Sequence, residues 1–286
     1  MKRIMILITS MIILTSNILA ENKGLQLQEI WATEPLLKTP ESVIYDPVDS
    51  LLYVSNIVDD PLAADGNGFI SKIGLDGKII QLEWITGLNA PKGMGIFERK
   101  LYVTDLTELV EISIEENRIL SRYTAPDAEL LNDIAIDDHG KIYISETFRG
   151  NDTIYRFHQG EFEKWHKSAE IVRPNGLYIT GNELIVGSSG NKSIALIDLE
   201  KNELIDKIKV NTIVDGIVKR NYDQIIFSDW YGKIFLLENF TEVTQLMDTI
   251  PSQQNAADIY YIKEMELLLI PTFFNDRIVA YKISEK

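Results

Sequence analysis

The stretch LLNDIAIDDHGKIYISET, residues 130–147, reads as two short β-strands joined by a tight turn. Apolar residues begin at Ile134, a turn falls at Asp138-His139-Gly140, and residues 142–145 alternate between apolar and polar side chains. The polar pair Asn132-Asp133 stands directly before the first apolar residue. Its place at the start of a buried strand is the feature that needs a physical explanation.

The same pattern occurs six times along the chain. The first apolar residues of the six units are Val43, Met94, Ile134, Leu177, Ile217 and Ile259. The intervals between them are 51, 40, 43, 40 and 42 residues. A period near 40 residues, with short strands and turns in each unit, is typical of a β-propeller. The sequence therefore predicts an all-β, six-bladed β-propeller of four-stranded blades.

The strands of the first blade are predicted at 42–46, 51–56, 68–75 and 78–85, with turns at Asp46-Pro47 and Asp76-Gly77. The last blade runs out of chain after residues 278–283, so residues 25–31 (LQLQEIW) are predicted to supply its outermost strand and to cover its open edge. Three tryptophans recur eight to ten residues before the polar positions and are expected to end outermost strands; they are Trp31, Trp84 and Trp165.

Composition limits the classes of function. The 286 residues carry a formal net charge of −15 and no cysteine, and 45% of them are hydrophobic. A chain this acidic repels nucleic acid and anionic lipid. The lack of cysteine excludes disulfides, thiolate metal sites and a cysteine nucleophile. No linker-like segment interrupts residues 21–286, so a single propeller domain that acts as a monomer on a small-molecule substrate or ligand is expected.

Residues 1–20, MKRIMILITSMIILTSNILA, have the pattern of a secretory signal peptide. Lys2-Arg3 precede an apolar run from Ile4 to Leu14, and Ala20 offers a cleavage point. Cleavage would predict an exported protein, periplasmic or secreted, without a membrane span, and would take the net charge from −15 to −17. An uncleaved N-terminal anchor is the alternative interpretation of this segment.

The propeller geometry explains the polar pair. The first strand of each blade lines the central channel, so the residues two places before each first apolar residue should gather around one channel mouth. They are Glu41, Lys92, Asn132, Asn175, Asp215 and Ala257. Four of them offer carboxylate or amide oxygens, the ligands that Ca²⁺ prefers. Asn175-Gly176 and Asp215-Gly216 could instead be ordinary turns. The three histidines, His139, His158 and His166, form no predicted zinc site.

These motifs resemble the gluconolactonase, luciferin-regenerating-enzyme and senescence-marker family of six-bladed propellers, with paraoxonases as distant relatives. The matching segments are PESVIYD, LNDIAID, PNGLYIT and VDGIVKR. The resemblance implies a divalent cation, usually calcium, held by Glu41, Asn132, Asn175 and Asp215. It also implies a lactone or ester substrate and a role for Asp215 as base or nucleophile.

Lys92 departs from the metal-binding pattern, because its ammonium would stand in the same ring. It could orient an anionic substrate, pair with Glu41 or Asp215 in place of the cation, or carry its charge to the rim. Loops after each second strand should form that rim, and with Lys92 they predict substrate contacts at Asn56, Arg149, Trp230 and Phe273. One step deeper, Asp133 and Asp258 could hold a second ion or be solvated by channel water.

Two functions are consistent with these residues. The first is an exported, calcium-dependent hydrolase of a small lactone or ester, with the metal at the channel mouth. The alternative is a non-catalytic propeller that binds a small ligand or a protein on the same face, because the fold itself does not determine function.

Overall fold

The computed structural model describes residues 24–286. The predicted signal peptide, residues 1–20, lies outside the described residues. Twenty-four strands form six four-stranded antiparallel sheets, which are the six predicted blades. Blade 1 contains β2 (Pro40–Asp46), β3 (Leu51–Asn56), β4 (Gly68–Gly74) and β5 (Ile79–Leu88). The predicted bounds of its strands agree to within three residues.

The next four blades repeat this order. Blade 2 contains β6 (Pro91–Phe97), β7 (Lys100–Asp105), β8 (Glu108–Ser113) and β9 (Arg118–Thr124). Blade 3 contains β10 (Leu131–Ile136), β11 (Ile142–Glu146), β12 (Thr153–His158) and β13 (Glu161–Lys167). Blade 4 contains β14 (Pro174–Thr180), β15 (Glu183–Ser188), β16 (Ser193–Asp198) and β17 (Glu203–Lys209). Blade 5 contains β18 (Ile217–Lys219), β19 (Gln224–Asp229), β20 (Lys233–Glu238) and β21 (Glu242–Asp248).

Blade 6 joins the two ends of the described chain. It contains β22 (Tyr260–Ile262), β23 (Leu267–Pro271), β24 (Ile278–Glu285) and the N-terminal strand β1 (Leu25–Ala32). Strand β1 pairs antiparallel with β24, from Leu25 opposite Glu285 to Ala32 opposite Val279. The prediction that an N-terminal strand completes the last blade is confirmed. Because the first and last strands share one sheet, the ring is closed by backbone hydrogen bonds.

The core consists of apolar side chains packed between neighbouring blades. Trp84 and Trp165 lie in outermost strands, and each ring packs against a tyrosine of its own blade at a centroid distance of 4.8 Å. Trp31 lies in β1 and packs over the β4–β5 turn, where a Cβ on Gly77 would approach the indole to 2.6 Å. The three tryptophans therefore contribute apolar packing to the outer part of the propeller.

In the described part of the chain, helical structure is limited to three short 3₁₀ turns, at Ile250–Ser252, Lys263–Met265 and Phe273–Asn275. Within residues 24–286, no helix has the length and apolar character required to cross a membrane.

Candidate functional site at the channel mouth

A β-bulge in the innermost strand accounts for the position of the ring residue in blades 1 to 4. The register of strand pairing shifts between Pro40 and Val43 in blade 1, and the same shift occurs in blades 2, 3 and 4. The two residues inside each bulge are released from regular pairing, which re-aims their side chains. The repeated bulges thus place Glu41, Lys92, Asn132 and Asn175 at equivalent positions around the mouth.

Serines of the second strand stabilise this geometry. The hydroxyl of Ser55 accepts a hydrogen bond from the Ser42 N–H at 3.0 Å, and Ser145 does the same for the Asp133 N–H at 2.9 Å. In blade 5, Ser228 accepts from the Gly216 N–H at 2.9 Å. These bonds satisfy backbone donors that the bulge leaves unpaired, so the ring positions are held by the sheet.

Glycine brings the innermost strands close together just below the mouth. A Cβ on Gly176 would lie 2.1 Å from the Asp215 carbonyl oxygen, and one on Gly216 would lie 2.4 Å from the Ile259 nitrogen. A Cβ on Gly93 would lie 2.5 Å from the Asp133 Cα. A larger residue at these positions would force adjacent blades apart. We call this level of the innermost strands, where adjacent blades approach closely, the neck.

Glu41 and Asp215 are buried in the ring with incomplete hydrogen bonding. Each residue is 5% exposed, and within the described residues neither Glu41 Oε2 nor Asp215 Oδ2 has a hydrogen-bond partner. The Asn175 amide nitrogen donates to Asp215 Oδ1 at 2.5 Å. Asn132 is also buried, and its side chain makes no hydrogen bond to another described residue. Buried carboxylates without partners are costly, so this arrangement is unusual for a purely structural site.

Burial and mutual proximity shift the pKa values of the carboxyl groups at the mouth. Burial raises the pKa of Glu41 well above its usual range, and the charges of Asp215 and Asp258 raise it further, while Lys92 lowers it. Burial, followed by the charge of Asp258, raises the pKa of Asp215 to about 7. Burial likewise raises the pKa of Asp258 to about 7, although Ser42 opposes the shift. Burial and mutual repulsion therefore favour the protonated forms of these carboxyl groups unless a cation compensates their charge.

The Lys92 ammonium binds backbone carbonyl oxygens instead of pairing with Glu41 or Asp215. Its Nζ donates to the carbonyl oxygens of Pro61, at 2.9 Å, and Ala90, at 3.0 Å. Within the described residues, no carboxylate lies within 4.0 Å of this ammonium. Burial lowers the Lys92 pKa, and the charges of Glu41, Asp105 and Asp60 partly offset that effect. The ammonium thus ties the β3–β4 loop to the mouth and leaves Glu41 and Asp215 without a cationic partner.

The donor set for a metal includes two amides. Among residues 24–286, no three His, Cys, Asp or Glu side chains are grouped so that they could hold a metal ion. A cation at the mouth would therefore depend on the amide oxygens of Asn132 and Asn175 as well as on the carboxylates of Glu41 and Asp215.

The four predicted rim residues differ in burial and in contacts. Asn56 is fully buried, and its amide is occupied by the Lys38 N–H, the Val54 carbonyl and the Ser71 hydroxyl. Arg149 is exposed on the β11–β12 loop. Trp230 and Phe273 pack together edge to face at 5.3 Å, and Phe274, 64% exposed, completes this aromatic cluster. The aromatic cluster borders the ring position of Ala257.

Three carboxylates that end second strands, Asp105, Glu146 and Asp229, have a structural role that the sequence analysis did not identify. Asp105 accepts hydrogen bonds from the Asn89 and Ala90 N–H groups. Glu146 accepts from the N–H groups of residues 129, 130 and 148, and Asp229 from those of residues 232 and 233. We call these three the anchoring carboxylates, because they hold the loops of the mouth face. The signal was present, since each ends a second strand at one phase of the repeat.

Asp133 and Asp258 lie at the level of the neck. Asp133 accepts hydrogen bonds from the Ile134 N–H at 2.7 Å and the Leu177 N–H at 2.6 Å, so it joins blades 3 and 4. Asp258 Oδ2 accepts from the Ser42 hydroxyl at 2.6 Å and joins blades 6 and 1. Both carboxylates thus replace, at two blade boundaries, the close glycine packing seen at others.

Comparisons with known proteins agree with this architecture at the level of fold. No protein-family model and no curated protein sequence matches the chain. A streptogramin B lyase structure superposes with a TM-score of 0.65 and 14% identity, covering 92% of this chain and 98% of that one. The virginiamycin B lyase from Staphylococcus aureus gives 0.61 and 18%, covering 91% and 99%. The WD40 β-propeller domain of Doa1 gives 0.63 and 11%, covering 84% and 77%. At these identities the likeness concerns the fold alone, and the chain is a six-bladed β-propeller.

Proposed function

We propose that the channel mouth binds a divalent cation, with Ca²⁺ the first candidate, and hydrolyses a small lactone or ester there. One observation carries the proposal: two buried carboxylates in one ring, Glu41 and Asp215, each have an oxygen without a hydrogen-bond partner among the described residues. Such oxygens are destabilising unless a cation or a ligand compensates them. The family resemblance of the four ring motifs supports the same cation.

The ring residues fit a hard cation. Glu41, Asn132, Asn175 and Asp215 offer only oxygen ligands, and water or substrate would complete a shell of roughly six to eight. In the structure the amide nitrogen of Asn175 faces Asp215. Asn175 would therefore bind the cation after its amide turns its oxygen inward.

A divalent cation at this site would supply Lewis-acid polarisation of an ester carbonyl and would favour ionisation of water. The chain's own residues would complete the reaction. Asp215 Oδ2, which has no hydrogen-bond partner in the described chain, would accept the proton of the attacking water. Lys92 would hold the β3–β4 loop over the mouth through Pro61. The aromatic cluster at Trp230 and Phe273 would bind the apolar part of the substrate.

We also propose that the protein is exported by its first twenty residues, periplasmic or secreted. Mass measurement of the protein recovered outside the cytoplasm would show loss of this segment. Recovery of the full chain in the membrane fraction would instead support the uncleaved anchor.

The hydrolase proposal is tested by turnover. Chelator-treated protein and protein in millimolar Ca²⁺ would be assayed against a set of γ- and δ-lactones and aryl esters, with Asp215→Asn alongside. Hydrolysis that requires Ca²⁺ and is lost in Asp215→Asn supports the proposal. Hydrolysis equal in chelator and Ca²⁺, or retained by Asp215→Asn, contradicts it.

The aromatic cluster also favours a second candidate function, non-catalytic binding of a ligand or a protein. Phe274 and Tyr231 are 64% and 56% exposed beside the buried Phe273, so an apolar surface adjoins the mouth. In that case Ca²⁺ would bind without turnover of any ester. Substitution of Phe274 by Ser would then weaken ligand binding without changing Ca²⁺ affinity.

A further inference from the structure

Two arginines in loops of the mouth face, Arg149 and Arg173, have guanidinium groups without a carboxylate partner. Within residues 24–286, no aspartate or glutamate oxygen lies within 4.0 Å of either group. Arg277, on the same face, donates to the Thr33 carbonyl oxygen at 2.8 Å. The other described arginines all pair with carboxylates; they are Arg99, Arg118, Arg122, Arg156 and Arg220. The charges of Arg149 and Arg173 are therefore available to an anion from outside the chain.

Arg173 occupies a position that recurs in every blade, two residues before the ring residue. The equivalent residues of the other blades are Thr39, Ala90, Leu130, Ile213 and Asn255. Arg173 is the only charged residue of this set, so the repeat itself does not require a cation there. Its backbone is left-handed, with φ of 51°, but Thr39 has nearly the same φ of 50°. The side chain, and not the backbone conformation, is thus the feature specific to blade 4.

Hydrogen bonds hold the Arg173 backbone and one edge of its guanidinium. The Arg173 N–H donates to Asp152 Oδ1 at 2.8 Å, and the Arg173 carbonyl oxygen accepts from the Ser189 hydroxyl at 3.1 Å. Nε donates to the Thr147 carbonyl oxygen at 3.3 Å. Nη1 and Nη2 donate to no other described residue. Two adjacent donors on a planar, positioned group match the two oxygens of a carboxylate or a phosphate.

Blade 4 has no anchoring carboxylate that could neutralise this charge. Ser188 ends its second strand, at the position that Asp105 and Glu146 occupy in blades 2 and 3. Asp152 accepts the Arg173 backbone N–H instead, and its carboxylate stays beyond ion-pair distance of the guanidinium. Glu170, in the same loop as Arg173, pairs with a lysine of β17. The acidic residues around this part of the mouth therefore leave the guanidinium charge uncompensated.

The loop between β11 and β12 brings Arg149 to the same side of the mouth. Arg173 forms hydrogen bonds to both ends of this loop. The Thr147 hydroxyl, at the start of the loop, donates to the Pro174 carbonyl oxygen at 2.7 Å. This bond ties the loop to the segment that leads into the ring residue Asn175. Arg149 lies in the middle of the loop and is exposed.

We propose that Arg173, assisted by Arg149, binds an oxyanion, namely the carboxylate or phosphate group of the small molecule that enters the mouth. Where this concerns a substrate it rests on the proposed hydrolase function, and it assigns that function an anionic lactone or ester. The charged group lies towards blades 3 and 4. The aromatic cluster of Trp230 and Phe273 belongs to blades 5 and 6, so the apolar part of the ligand lies on another side of the mouth.

Calorimetric titration with pyroglutamate, pyroglutamamide and inorganic phosphate, in chelator at fixed ionic strength, tests the oxyanion subsite without turnover. The two lactams resemble a substituted γ-lactone and differ in a carboxylate against a neutral amide. Pyroglutamate should bind roughly tenfold or more tightly than pyroglutamamide, because a charge-assisted pair replaces a neutral contact. Phosphate that binds where pyroglutamate does not would assign the subsite to phosphorylated ligands. A wild type that binds none of the three, or both lactams equally, overturns the proposal.

Variants locate the subsite. Arg173→Gln should remove the preference for pyroglutamate and leave pyroglutamamide affinity within about twofold, whereas Arg173→Lys, which keeps the charge without the planar pair of donors, should lie between them. Arg149→Ala should weaken pyroglutamate binding by about threefold. Arg118→Ala, with a side chain 59% exposed on the opposite face, is the matched control and should change neither affinity. Thermal melting checks that each variant is folded. A preference for pyroglutamate that survives Arg173→Gln overturns the assignment.

Turnover separates this proposal from the hydrolase function. In millimolar Ca²⁺, 5-oxotetrahydrofuran-2-carboxylate should be hydrolysed with a kcat/KM roughly tenfold above that of its carboxamide, through a lower KM, and Arg173→Gln should abolish the difference. A preference for pyroglutamate without hydrolysis of any lactone would support the subsite and contradict the hydrolase function. Hydrolysis of both lactones with equal kcat/KM, together with equal binding of the two lactams, would support the hydrolase function and overturn the subsite.

Discussion

The anchoring carboxylates and the ring carboxylates lie on the same face and are buried to similar extents, yet their hydrogen bonding differs. Asp105 and Glu146 are fully buried, and each accepts several backbone N–H groups. Glu41 and Asp215 are equally withdrawn from water, but each keeps an oxygen without a hydrogen-bond partner in the described chain. The satisfied set stabilises the mouth, and the unsatisfied set is available for a ligand. Substitutions in the two sets should therefore have opposite effects on stability.

The largest effect is expected for Asp105→Ala. Removal of this carboxylate leaves the N–H groups of Asn89 and Ala90 without acceptors and Arg122 without one partner. Each unsatisfied buried group costs roughly 1–3 kcal/mol, so the free energy of unfolding should fall by roughly 2–5 kcal/mol. Denaturant unfolding measures this loss. Asp138→Ala, at an exposed turn position, is the control and should change stability by less than about 0.5 kcal/mol.

Asp215→Asn should have the opposite sign in chelator-treated protein. The substitution removes a buried charge next to Asp258 and keeps an oxygen that can accept from Asn175. We expect the free energy of unfolding to rise by roughly 1–3 kcal/mol at pH 8. A loss of stability similar to that of Asp105→Ala would show that Asp215 is a structural residue and would remove the contrast between the two sets.

The increase in the free energy of unfolding caused by Asp215→Asn should depend on pH. The folded protein holds the Asp215 pKa at about 7, whereas an aspartate in an unfolded chain titrates near ~3.9. The folded state therefore binds this proton more tightly than the unfolded state. The free-energy cost of ionising Asp215 in the folded protein is absent below about pH 4 and grows as the pH rises towards 7. The difference in unfolding free energy between variant and wild type should be largest above pH 7 and should vanish near pH 4. A difference that stays constant across this range would contradict the shifted pKa.

A smaller effect is expected for Lys92→Met. The methionine keeps the apolar stem and removes the ammonium that Pro61 and Ala90 bind. Because the charge of Lys92 is felt at Glu41, its removal should raise Ca²⁺ affinity by on the order of threefold to tenfold. Lys201→Met, with a side chain 69% exposed, is the control. Weaker Ca²⁺ binding in Lys92→Met would mean that the loop contact matters more than the charge.

The smallest effect is expected for Arg149→Ala. Its side chain is exposed on the mouth-face loop, so stability should change by less than about 0.5 kcal/mol. Ca²⁺ affinity should stay within twofold of the wild-type value, because Arg149 is not one of the proposed cation ligands. A large loss of stability, measured by denaturant unfolding, would show that this loop is packed more tightly than its exposure indicates.

The repeat explains why much of the fold could be predicted. The period near 40 residues depends on turns and strand alternation within each blade, and the polar pair before Ile134 marks a bulge that recurs in other blades. The N-terminal strand was predictable because blade 6 lacked a fourth strand. Local patterns determine these features, so a single chain carries enough information.

Other features depend on contacts between distant segments. The orientation of the Lys92 side chain depends on a hydrogen bond to the carbonyl oxygen of Pro61, which lies 31 residues away. No local sequence pattern reveals this contact. Asn56 ends a second strand, which is why the sequence predicted a substrate contact there. In the structure its side-chain amide donates to the Ser71 hydroxyl of the same blade.

The central claim, that the unsatisfied oxygens of Glu41 and Asp215 form part of a cation site, is tested most directly by calorimetric titration of Ca²⁺ into chelator-treated protein. The wild type should show one saturable site, and Asp215→Asn should lose it while remaining folded. Absence of binding in the wild type, or binding retained by Asp215→Asn, would contradict the claim.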